Sequence, residues 1–167
     1  MNYREELFRI LRGQAGDPRP IPDWMPIEAM YGIELPPDFK EVIAVFAPID
    51  INDHLTLFRP GDPTWDLGRW MEETVRSYQE VDWLDVFSDP TEAARISFGK
   101  AGGLIPIAAS DRGEHVFFRT DTGGSTTGIS VFVGADCEFY DYDFTFMEWL
   151  YRYTVGEEVM GPNSASI

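Results

Sequence analysis

The chain has 167 residues, 44% of them hydrophobic and 14% aromatic, and its 29 Asp and Glu against 13 Lys and Arg leave a formal charge of −16. That apolar content excludes disorder by composition, and the length fits one domain that removes roughly 70% of the unfolded chain's surface from water. The charge disfavours phosphate polymers as partners, and the single Cys137 excludes an internal disulfide.

The acidity is spread along the chain, with no block of five or more like charges to mark an acidic tail. Residues 2–12 read as a short helix with Leu7, Ile10 and Leu11 on one side, and the Gly- and Pro-rich stretch 13–22 reads as a linker. Residues 1–22 are therefore expected to be a loosely attached leader, 23–156 the folded domain and 157–167 a flexible tail. Pro26 to Tyr31 predicts a second helix closed by Gly32. Leu35-Pro36-Pro37-Asp38 opens a third, whose Phe39, Val42, Ile43 and Phe46 fall at helical spacing until Pro48 stops it.

Leu55 to Phe58 reads as a strand. Asp62-Pro63 has the form of an N-cap with Pro in the first turn, and predicts a long helix to Phe87. Leu67, Met71, Thr74, Tyr78 and Val81 mark its buried stripe, with Glu72, Glu73, Glu80 and Asp82 mostly off it. Asp89-Pro90-Thr91-Glu92 has capping-box spacing and starts a further turn. From Gly102 the period changes to that of strands, at 104–108, 114–120, 128–133 and 138–142, with turns at 111–113 and 121–128. Thr145-x-x-Glu148 caps a last helix that carries Phe146, Trp149, Leu150 and Tyr153. Helices, then antiparallel strands, then a helix predict an α+β fold in a single domain, a mainly antiparallel sheet with helices packed against it.

Several fragments of catalytic or ligand-binding motifs are incomplete. Asp121-Thr122-Gly123 matches the core of an aspartic protease, but a second such tripeptide is missing and a hairpin turn explains it. Gly123 and Gly128 have half the spacing of a phosphate-binding loop, with Ile129 where its Lys belongs. Asp50-x-Asn52-x-His54 begins like a calcium loop, yet Leu55 and Gly61 replace its turn Gly and closing Glu. Cys137 and His115 are a conceivable nucleophile and base, but a lone Cys beside a strand is expected to be a small buried hydrophobe, and His115 beside a turn to be exposed. No catalytic residue, metal site or cofactor is expected.

The stretch from Asp136 to Asp143 resists a purely structural reading. As a strand it sets Asp136, Glu138, Tyr140 and Tyr142 on one face, with Cys137 and Phe139 on the other. Carboxylates interleaved with tyrosines suit a surface that grips a basic partner, since Tyr offers large contact area and a hydroxyl. The plainer alternative is a solvated face whose tyrosines support the last helix. Glu72, Glu73 and Glu80 form a second candidate surface.

Three segments, in order, carry a family resemblance: Ile27-Glu28-x-x-Tyr31-Gly32-x-x-Leu35-Pro36-Pro37-Asp38-Phe39-Lys40, then Gly102-Gly103-Leu104-Ile105-Pro106 with Asp111-x-Gly113-Glu114, and Phe146-x-Glu148-Trp149-Leu150. Together they resemble the SUKH superfamily, which includes bacterial toxin-immunity proteins and a fungal regulator of cell-wall synthesis. The chain departs from the family pattern at Ala47-Pro48-Ile49 and at Ile107-Ala108. The resemblance implies a curved sheet, no catalytic residues and binding to other proteins, in bacterial relatives by occluding toxins that are often nucleases.

The expectation is thus a non-enzymatic immunity protein binding a basic partner, a nuclease toxin among the candidates, with no nucleic acid and no membrane involved. A nuclease must hold phosphates with Lys and Arg, so an acidic protein complements it. Three alternatives stay open: an intracellular scaffold or adaptor of cell-wall or stress pathways, a small hydrolase built on Cys137 or Asp121, or acidity that only maintains solubility. Met1 to Glu6 lacks the apolar stretch of a secretory signal, so a cytoplasmic location is expected.

Overall fold

The computed structural model describes residues 1–15 and 18–162. Helices α1 (Tyr3–Leu11), α2 (Met25–Tyr31) and α3 (Pro37–Phe46) precede a hairpin of β1 (Ile49–Ile51) and β2 (Leu55–Leu57). Three helices follow, α4 (Leu67–Gln79), α5 (Trp83–Phe87) and α6 (Pro90–Arg95). Strands β3 (Leu104–Ser110), β4 (Glu114–Thr120), β5 (Thr126–Val133) and β6 (Glu138–Tyr142) lead into α7 (Phe146–Thr154). The six strands form one sheet in sequence order, every neighbour antiparallel, which leaves β1 and β6 at the edges. This is the α+β architecture the periodicity predicts. The three-residue strand β1 was not foreseen, being too short to show a period; left-handed Asn52 and Asp53 turn it into β2.

Helices cover both faces. On one, Phe118 of β4 meets Phe39 of α3 and Phe146 of α7 edge-on. On the other, Tyr78 of α4 touches Phe117 and Phe132, and Trp83 of α5 touches Phe132 and Phe139. Among the described residues no helix is long and apolar enough to cross a membrane.

The expected single helix from Asp62 to Phe87 is three structures. Asp62 closes a tight turn instead, its Oδ2 accepting from Thr64 N at 3.0 Å and Trp65 N at 2.7 Å. Those donors hold its carboxyl below the usual range, the Trp65 N–H most of all. Asp66 is the actual cap of α4, accepting from Arg69 N at 3.1 Å. The helix stops at Gln79, Asp82 caps α5, and Val81 is exposed rather than part of the buried stripe. Two Asp residues competed for one cap, and local sequence does not rank them.

The leading helix is not loose. Leu7 and Leu11 are 0% and 1% exposed, α1 packs on α7, and Arg4 pairs with Glu41 of α3 at 2.6 Å. Buried Arg59 fastens the following segment, donating to Pro20 O at 2.7 Å and to the carbonyls of Ile43, Ala44 and Ala47 at the end of α3. Of the expected linker, Gly16 and Asp17 lie outside the described residues. The expected tail is likewise tied down in part: Val159 and Met160 are buried, and Trp149 Nε1 donates to Val159 O at 2.9 Å. Residues 163–167 lie outside the described residues.

Candidate functional site

Strand register brings three rows of side chains onto the sheet face under α4 and α5. The first row is His115, Phe132 and Phe139; the second is Phe117, Ser130 and Asp141; the third begins with Arg119 beside Gly128. The first row is sealed by aromatic packing on Tyr78 and Trp83. Beyond it the helices leave an open cleft of about 760 Å³ between the sheet, α5–α6 and the β5–β6 turn.

The cleft has an apolar floor that includes Phe87, Leu104 and Phe139. Its charged lining is Glu92 and Arg95 from α6, Arg119 from β4, and Asp136, Glu138 and Asp141 along the turn and β6. Arg119 lies flat across β5: its Nη2 donates to Asp143 Oδ1 at 2.6 Å, and its Nη1 sits 3.5 Å from Asp141 Oδ2. Gly128 makes that path possible, because a Cβ there would collide with the Arg119 guanidinium and stand 2.9 Å from Tyr142 O. Arg119 Nε is sealed from solvent with no hydrogen-bond partner. Glu92, Asp136 and Glu138 are exposed and form no ion pair among the described residues.

The seven residues singled out in the sequence do not make one patch. Asp136 and Glu138 stand at the margin of the cleft. Glu138, Tyr140 and Tyr142 share the other face of the sheet, as the alternation predicts, and the two tyrosines are engaged internally. The Tyr140 hydroxyl donates to Asp136 Oδ2 at 3.1 Å, and is pushed up to about 12 by desolvation first, then by Asp136 and Glu138. The Tyr142 hydroxyl accepts from Gly161 N at 2.9 Å, and its ring stacks on Phe144. Glu72 and Glu73 are exposed on α4 and Glu80 just past its end, all outside the cleft lining; Glu72 pairs with Arg76 at 3.6 Å. Arg119, Asp141 and Glu92 were missed. The alternation Phe117–Arg119, together with Phe132–Ser130–Gly128, was the signal that could have found them.

Two other expectations are reversed. Cys137 is exposed in a left-handed turn with φ 53°, its thiol 3.5 Å from Gly134 O, rather than buried. His115 is largely buried, with its Nδ1 2.8 Å from the Tyr78 hydroxyl and its ring stacked on Trp70. Burial pushes the imidazole down and the Tyr78 phenol up. The incomplete motifs occupy turns: Asp121 Oδ1 accepts from Gly123 N and Ser125 N, and His54 pairs with Asp111 at 2.8 Å. Among the described residues no group of three or more His, Cys, Asp or Glu is placed to hold a metal.

The segments carrying the family resemblance serve the fold. Glu28 accepts from Leu35 N at 2.8 Å and pairs with Lys40 at 3.1 Å, which fixes the turn from α2 to α3 around left-handed Gly32. Asp38 Oδ2 accepts from Met147 N at 2.9 Å, joining α3 to α7. Gly103 lets β3 approach Ser97, whose carbonyl oxygen would be 2.7 Å from any Cβ placed there. No family model, curated protein or solved structure matches the chain.

Proposed function

We propose that the chain is a non-enzymatic protein-binding domain of the immunity type, which neutralises a basic protein, a nuclease toxin being the leading candidate. The observation that carries this reading is a −16 body with exposed acidic side chains, Glu73, Glu80, Glu92, Asp136 and Glu138 among them, that form no ion pair among the described residues. Such a surface steers a cationic protein toward it and repels nucleic acid competing for the same partner. Two further observations support a role without bond chemistry. His115 is occupied by Tyr78 and Trp70, and Cys137 sits on a turn with its thiol toward a carbonyl oxygen.

Co-expression with the product of the adjacent gene tests the reading. Rescue of the host from that product's toxicity, with affinity that falls as salt shortens the screening length to about 3 Å at 1 M, is the expected result. A harmless neighbour favours the scaffold alternative. A cognate complex indifferent to ionic strength removes the electrostatic part of the proposal.

A further inference from the structure

We infer that the cleft beside β6 binds a small uncharged aromatic molecule carrying a carbonyl or amide group, a role separate from the acidic surface proposed above. The residue that calls for a ligand is Ser130. It is 1% exposed and stands on the cleft face of β5, and its hydroxyl forms no hydrogen bond among the described residues. A buried hydroxyl without a partner is costly, and this group can both donate and accept. A carbonyl or amide in the cleft supplies the missing bond.

The floor sets the ligand's body. Phe87, Leu104 and Phe139 are half-buried and line the cleft, the two phenyl rings 6.3 Å apart and inclined at 44°. A flat ring packs on such a floor edge-on or offset. The volume of about 760 Å³ falls within the range of small-molecule sites.

Charge in the lining is balanced. Arg119 is held by Asp141 and Asp143, and Glu92 stands one turn before Arg95 on α6. Asp136 accepts from the Tyr140 hydroxyl, and Glu138 belongs to the opposite face of the sheet. A charged ligand would lose hydration with no net counter-charge to replace it. An uncharged one meets no such cost.

The test titrates isotope-labelled protein with nicotinamide, an uncharged ring amide, and with its cationic N-methyl analogue, following backbone amide shifts. Two variants accompany the parent: Ser130→Ala, which removes the hydroxyl, and Thr127→Trp, which fills the cleft from an exposed position. Because that hydroxyl has no partner in the protein, Ser130→Ala should keep the parent's urea midpoint, which separates lost binding from lost folding. Shifts are expected at Ser130, Phe139 and Asp141, with affinity lowered about fivefold by Ser130→Ala and about tenfold or more by Thr127→Trp. The cation should bind no more tightly than the amide at physiological salt, where distant charges are screened. Absence of binding to the parent, shifts outside the cleft, unchanged affinity in either variant, or tighter binding of the cation overturns the assignment. None of these outcomes bears on the immunity reading, which the co-expression experiment tests.

Discussion

Where β4, β5 and β6 run beneath α4 and α5, His115, Phe132 and Phe139 turn their rings toward Tyr78 and Trp83. Two to four residues further along the same face stand Arg119 and Asp141, which line the open cleft, with Ser130 and Gly128 buried on the strand between them. The alternation that keeps residues on one face continues without a break, but the residue type changes from aromatic to polar. Burying rings against a helix is favourable, whereas burying a charge without full compensation is costly, so helical cover extends over the rings, Phe117 of the second row among them, and stops short of Arg119. Helix α4 ends at Gln79, and the short α5 and α6 form a wall of the cleft instead of a roof over it. One half of the face holds the fold together, and the other is left available.

Substitutions in the two halves should therefore differ widely in cost. The largest effect is expected at the centre of the sealed half: Tyr78→Ala should cost about 3–5 kcal/mol, measured by urea denaturation, as for other buried aromatic truncations. A loss below about 1 kcal/mol would mean the ring cluster is not what anchors α4. Next comes the boundary between the halves. Gly128→Ala should cost about 1–3 kcal/mol through overpacking against Arg119 and Tyr142 O, and part of that cost should vanish in an Arg119→Ala background. Strict additivity in that double-mutant cycle would show that Gly128 is not there to let Arg119 pass.

A pH effect belongs to the sealed half as well. Burial lowers the folded-state value of His115 below 6.5, so the unfolded chain binds its proton first and stability falls as pH drops through 6.5 toward that lower value. Glu114 acts in the opposite sense: burial raises it above 4.5, and protonation on acidification favours the fold. Comparing His115→Gln with the parent isolates the first contribution. The variant should show the flatter stability profile from pH 6.5 downward, and identical slopes would contradict the assigned burial. The smallest effects are expected in the open half, where Glu92→Arg and Thr127→Trp should change unfolding free energy by no more than about 0.5 kcal/mol. Large destabilisation there would make the cleft wall structural.

Much of the fold was legible because the signals are local. Strands β3 to β6 follow from alternation, α3 and α7 from apolar spacing, and their starts from Pro37 and Thr145. Local signals also explain the failure between Asp62 and Phe87, where Asp62, Asp66 and Asp82 each have the chemistry of a cap and only packing selects among them. The site was half legible. Asp136 and Glu138 were found through their acidic context, but Tyr140 and Tyr142 were assigned outward when the segment around Gly161 covers them. That contact joins residues far apart in the chain, and no periodicity announces it.

By itself the chain's sequence determined the net charge, the alternation within each strand, the caps of most helices and the apolar stripes that build one core. Tertiary structure alone decided which polar positions meet: register set Arg119 beside Gly128 and brought Asp141 and Asp143 within its reach. The physical reason is that periodicity acts over a few residues, whereas register and helix placement depend on turns and packing between segments many residues apart.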